Sequence, residues 1–127
     1  MQNKRILIID DHEAILDVVR EALIYADYNV HVISEGRLFF DAVKKFTPNL
    51  ILLDYKLSDT NGADLCAELK ARQEYRHIPV IISSAYFTKG NMVNPGGCDG
   101  ILYKPFNLDE LLAMVKEFIG QPVIHES

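Results

Sequence analysis

Ile6-Leu7-Ile8-Ile9-Asp10-Asp11 decides how this chain is read. Four apolar residues in succession, without polar alternation, suit a strand covered on both faces, and the run stops at two carboxylates. The same form recurs as Leu50-Ile51-Leu52-Leu53 ending at Asp54, and as Val80-Ile81-Ile82 ending at Ser83-Ser84. Asn29 to Ile33 and Gly100 to Tyr103 complete five candidate strands. Between them the apolar spacing turns helical. Ile15, Val19, Ala22, Leu23 and Ala26 share one helix face, as do Phe39, Val43 and Phe46. Leu65 and Leu69 sit one turn apart after Asn61-Gly62. Leu108, Leu111, Leu112, Val115 and Ile119 form a stripe. Asn107 followed by Glu110 has the form of a capping box opening that last helix, and Gly120 with Pro122 closes it. The weak link is Phe87 to Asp99, where a fourth helix should fall. Asn94-Pro95-Gly96-Gly97 is poor helix material, and only Lys89 to Val93 has room for a short turn. Alternating strands and helices predict an α/β fold. Its core is a doubly wound, five-stranded parallel sheet with helices on both faces and a short or irregular fourth helix.

A chain of 127 residues predicts a single domain over 1–127, with a core of about residues 4–120 and a short C-terminal tail. The net charge of −5 and the scattered Lys and Arg argue against nucleic acid, whose phosphates call for clustered bases. No stretch approaches the roughly 18 apolar residues of a membrane span. The strand pattern beginning at Ile6 leaves no room for a signal peptide, so a cytoplasmic location is expected. Cys66 and Cys98 form no C-x-x-C pair and read as free thiols. Cys66 is expected packed as a small hydrophobe, and Cys98 exposed in the irregular segment.

The chemistry sits where the apolar runs end. In an open parallel sheet the carboxyl ends of the strands converge on one crevice. Asp10, Asp11, Asp54, Ser84 and Lys104 would meet there. Crowded carboxylates repel, and a hard divalent cation removes that penalty. Mg²⁺ takes a few carboxylates, water and often a phosphate oxygen, and no His or Cys group here has zinc spacing. A carboxylate oxygen can attack phosphorus to form an acyl phosphate, with Lys104 and Ser84 available to two phosphoryl oxygens. Alone, Asp10-Asp11 would read as an acidic pair favoured at a helix start. With Asp54 and Lys104 at neighbouring strand ends, the metal site is the stronger reading. His12 could ligate a metal, but a solvent-facing residue at the helix start is the stronger reading, and His31, His77 and His125 receive no role. Phe39, Phe40 and Phe46 read as core.

Ile8 to His12, Leu52 to Leu57, Asp59 to Gly62, Pro79 to Ala85 and Lys104-Pro105-Phe106 together resemble the receiver domains of two-component response regulators, the CheY-like superfamily. The resemblance covers roughly Lys4 to Gly120, and five motifs in the right order make it specific. It implies the flavodoxin-like strand order 2-1-3-4-5. It implies Asp54 as phosphoacceptor and Asp10 and Asp11 as metal-binding acids, joined by Asp54 and the backbone carbonyl of Lys56, with Mg²⁺ as cofactor. Ser84 matches the switch hydroxyl, Lys104 the phosphate-pairing lysine, and Lys104-Pro105 a cis peptide. The implied phosphodonor is a phosphohistidine on a sensor histidine kinase or a histidine phosphotransfer protein. Two positions depart from the pattern. Ser58 stands where Pro is frequent. Ile101 occupies the switch position three residues before the lysine, where Tyr or Phe is usual, and Tyr103 lies further along the same strand face.

Lys56 and Tyr86, each two residues past a site residue, are expected to overhang Asp54 and slow loss of its phosphoryl group. With no residues left for an output domain, output is expected through an unidentified downstream protein. Two other readings stand beside this one. A receiver-like docking module that needs no phosphorylation is favoured by Ile101 and the Pro-Gly-Gly segment. A phosphohydrolase with an aspartyl nucleophile is opposed by Lys56, which stands where such enzymes carry an acid.

Overall fold

The computed structural model describes residues 3–86 and 94–120. Strands β1 (Arg5–Ile9), β2 (Asn29–Ile33), β3 (Leu50–Asp54), β4 (Val80–Ser84) and β5 (Gly100–Tyr103) form one sheet in the order β2-β1-β3-β4-β5. All four pairings are parallel. Helices α1 (Glu13–Tyr25) and α4 (Leu108–Ile119) cover one face, and α2 (Phe39–Phe46) and α3 (Gly62–Ala71) the other.

The unbroken apolar runs now have a physical reason. Ile6, Ile8, Leu50, Leu52, Ile81 and Leu102 pack against Leu16, Val19 and Leu23 of α1 and Leu111 and Val115 of α4. The intervening residues Leu7, Ile9, Ile51, Leu53, Val80 and Ile82 pack against α2 and α3. Successive side chains enter opposite cores, so neither set is left to be polar. Burying one such side chain contributes about 1.5–3 kcal/mol, and this layered packing holds the strand ends in register.

Details differ from the sequence pattern. In α1 the fully packed positions are Leu16, Val19 and Leu23, while Ile15 is only partly buried. The helix is therefore rotated from the expected stripe. A 3₁₀ turn, Gly36–Leu38, precedes α2. The Asp59 carboxylate accepts hydrogen bonds from the N–H groups of Gly36 (3.0 Å) and Arg37 (2.9 Å). That acceptor comes from a distant loop, so no local sequence signal announces the turn. At α3 the Asn61 side chain accepts from Asp64 N (2.8 Å), and at α4 the Asn107 side chain accepts from Glu110 N (2.8 Å). Both are N-cap bonds.

The expected short turn at Lys89 to Val93 lies outside the described residues. Within them, the segment contributes the 3₁₀ turn Pro95–Gly97. Gly96 has φ 65°, and a Cβ there would collide with the carbonyl oxygen of Ala63 in α3. This close packing buries Cys98, contrary to the exposure expected for it. Cys66 is buried in the same cluster, and burial first, with Cys98 second, pushes its thiol up to about 12. Both cysteines are free and serve as packing groups. No helix among the described residues is long and apolar enough to cross a membrane.

Candidate functional site

Sheet order creates the site. β1 lies between β2 and β3, so the chain winds away in opposite directions and opens a crevice beyond the carboxyl ends of β1 and β3. Asp10 and Asp11 follow β1, and Asp54 ends β3. Asp10 and Asp54 are 6% and 5% exposed, whereas Asp11 is more open. Lys104 follows β5, where its N–H donates to Ser84 O (2.9 Å). Its ammonium stands 3.2 Å from Asp54 Oδ1 and 3.6 Å from Asp10 Oδ2. The Lys104-Pro105 peptide is cis.

Three carboxylates face one ammonium, so acidic groups outnumber basic ones in the pocket. Burial pushes the Asp54 carboxyl above the ordinary aspartate range, and the charge of Asp10 adds to this. Lys104 opposes the shift, by charge and by hydrogen bond, and Asp11 reinforces it. One ligand atom each from Asp10, Asp11, His12 and Asp54 lies within 4.8 Å of the others. This donor set is mostly hard oxygen and underneutralised, which fits a divalent cation.

Ser84 is buried at the end of β4, beside the end of β3. Its hydroxyl oxygen accepts from Tyr86 N (2.8 Å). The register pairs Ser83 with Asp54 and Ser84 with Tyr103. Ile101 pairs with Ile82 and packs against the α2–α3 core. Lys56 is exposed, and its backbone forms an isolated bridge with Asn61. Gly62 N donates to Tyr55 O (2.7 Å), and a Cβ on Gly62 would stand 2.5 Å from Asp54 O. Glycine there lets α3 begin directly against the backbone of the candidate phosphoacceptor.

One feature escaped the sequence reading, and another was given the lesser weight there. The Tyr86 ring packs on Tyr55, with centroids 5.4 Å apart and planes tilted by 56°. The contact joins two strand ends distant in sequence, so no local signal exposes it. His12 is solvent-facing, with its side chain 69% exposed, yet Nδ1 lies 3.8 Å from Asp10 Oδ1 and 3.6 Å from Asp11 Oδ1. Its place directly after the two acids was the available signal. Beside the pocket, a groove of about 510 Å³ runs between α1 and the loop before α4, lined by Ile15, Val18, Lys104, Phe106 and Leu108 among others.

A 2-1-3-4-5 parallel sheet with clustered acids and one lysine at its carboxyl edge is the architecture of a receiver-type signalling module. The chain belongs to the response regulator receiver domain family, whose sequence model matches residues 6–116. The polar-differentiation response regulator DivK of Brucella ovis is 29% identical over 119 residues, covering 92% of this chain and 97% of that protein. A CheY-like response regulator receiver domain protein from Methanospirillum hungatei is 33% identical, with a TM-score of 0.79 over 90% of this chain and 91% of its own. The receiver domain of a sensor histidine kinase from Pseudomonas aeruginosa was solved with a magnesium ion coordinated in its active-site cleft. It is 25% identical, with a TM-score of 0.82 over 93% of this chain and 98% of its own.

Proposed function

We propose that this chain accepts a phosphoryl group on Asp54 from a protein phosphohistidine and thereby changes a surface that a partner protein reads. The observation that carries the reading is the setting of Asp54: buried at a strand end, 3.2 Å from the Lys104 ammonium and clustered with Asp10 and Asp11.

An Asp54 carboxylate oxygen attacks phosphorus. The new O–P bond forms as the donor's N–P bond breaks, and the bonding pair leaves on the donor imidazole, which is then free to take a proton. Mg²⁺, held by Asp10, Asp11, Asp54 and the Lys56 carbonyl, would supply charge neutralisation at the phosphoryl oxygens. Lys104, already beside Asp54 Oδ1, pairs with another phosphoryl oxygen as a compact point charge. Ser84 retains its hydroxyl proton for a third, because its oxygen is the acceptor in the bond from Tyr86 N. Formation of these bonds at the end of β4 would bias a two-state segment and so alter the surface that the downstream protein reads, with Ile101 at the position that couples to it. The sensor histidine kinase or histidine phosphotransfer protein would seat on the apolar groove beside Lys104.

One acyl phosphate per chain, rather than turnover, is the expected end point. Lys56 offers no carboxylate to activate water. The packing of Ile101 in the core, with no aromatic at its position, favours a second reading, docking without phosphorylation. A phosphotransfer protein carrying labelled phosphohistidine, incubated with this chain and Mg²⁺, separates these readings. Label should move to wild type, at most one per chain, and not to Asp54→Asn. Binding without transfer would establish the docking module, and many turnovers of released phosphate would establish a phosphohydrolase.

A further inference from the structure

His12 is unused by the chemistry above, yet it is built into the pocket wall. It is the N-cap residue of α1, with extended backbone (φ −93°, ψ 96°), and its side chain makes no capping bond. Its own N–H is held by Asp10 Oδ1 at 2.9 Å, which fixes the backbone beside the acids. The ring is 69% exposed and already points a nitrogen at both Asp10 and Asp11.

We propose that His12 contributes an imidazole ligand to the divalent-cation pocket, so that this chain ranks first-row transition ions further above Mg²⁺ than oxygen ligands alone would. The inference rests on the acidic pocket being the metal site. Opposite ligands of an octahedral ion stand about 4.2 Å apart, twice a bond of about 2.1 Å. The four candidate atoms lie within 4.8 Å of one another, a little beyond that span, so a bound ion would draw them closer. An exposed imidazole makes that movement with little packing to disturb. Nitrogen ligands favour Co²⁺, Ni²⁺ and Zn²⁺, whereas Mg²⁺ prefers oxygen and keeps its water.

The competing account is that His12 is only a cationic neighbour of Asp10 and Asp11. The two accounts predict opposite signs. Removing a cation strengthens binding of every divalent ion, whereas removing a ligand weakens binding of the ions that favour nitrogen. Calorimetric titration of the full chain without an affinity tag measures Mg²⁺ and Co²⁺ in wild type and His12→Gln. The expected result is Co²⁺ binding weakened by about tenfold or more in His12→Gln, with Mg²⁺ changed less than about twofold. Mn²⁺ bound to wild type should also show nitrogen coupling in pulsed electron paramagnetic resonance, lost in His12→Gln. Equal change for both ions, tighter binding of both, or no nitrogen coupling overturns the inference. Absence of Mg²⁺ binding by wild type instead removes the metal-pocket reading on which it rests.

Discussion

Asp54 carries a cost that its neighbours only partly offset. Burial and the charge of Asp10 raise its pKa, and Lys104 pulls the other way. A carboxylate whose folded pKa is raised contributes stability below the ordinary aspartate range, and that contribution is lost as pH rises through the folded value. Without divalent ions, Asp54→Asn should therefore be more stable than wild type at neutral pH, on the order of 1 kcal/mol. The gap should close in acid. Urea unfolding across pH checks this, and a less stable Asp54→Asn at neutral pH would mean that the Lys104 pair outweighs the strain. Asp59 behaves in the opposite sense. The N–H groups of Arg37 and Gly36 hold its carboxyl below the usual range, so its contribution is present above that range and is lost as pH falls through the folded value. Asp59→Ala should lower the urea midpoint at neutral pH, and the two curves should converge in acid.

At the scale of elements, what the sequence revealed depended on the reach of each interaction. Asn61 and Asn107 cap helices through bonds three residues long; Asn107 was read as a cap from its local pattern, and Asn61 only as the start of a helical segment. The 3₁₀ turn at Gly36–Leu38 and the Tyr55–Tyr86 contact depend on partners brought close by folding, and neither has a local signal. The Pro95–Gly97 turn shows the same limit. Its glycines signalled a break in helix, but not that the break packs onto α3 and buries Cys98. Gly96 and Gly97 both have positive φ, 65° and 75°, but only Gly96 meets another backbone. Gly97→Ala should cost about 1 kcal/mol, from backbone strain alone. Gly96→Ala should cost about 2 kcal/mol or more, since the Ala63 carbonyl must also yield. Thermal or urea unfolding of the pair separates packing from backbone conformation, and equal costs would mean that the turn does not press on α3.

The whole molecule was the most legible scale. Two-sided burial of a parallel sheet writes itself into unbroken apolar runs, and strand ends must carry the polar residues that such runs exclude. The order β2-β1-β3-β4-β5 then brings Asp10, Asp11, Asp54 and Lys104 together without any further instruction. The proposed path from Asp54 to a partner was less legible, because Ile101 departs from the aromatic of the receiver pattern and no local signal joins Tyr86 to Tyr55. The central claim is that this assembly makes Asp54 a phosphoryl acceptor. Its most direct test is the intact mass of the chain after incubation with a small acyl phosphate donor and Mg²⁺. The account predicts a gain of one phosphoryl group in wild type, lost with chelator and lost in Asp54→Asn. An unchanged wild-type mass, or the same gain in Asp54→Asn, would contradict it.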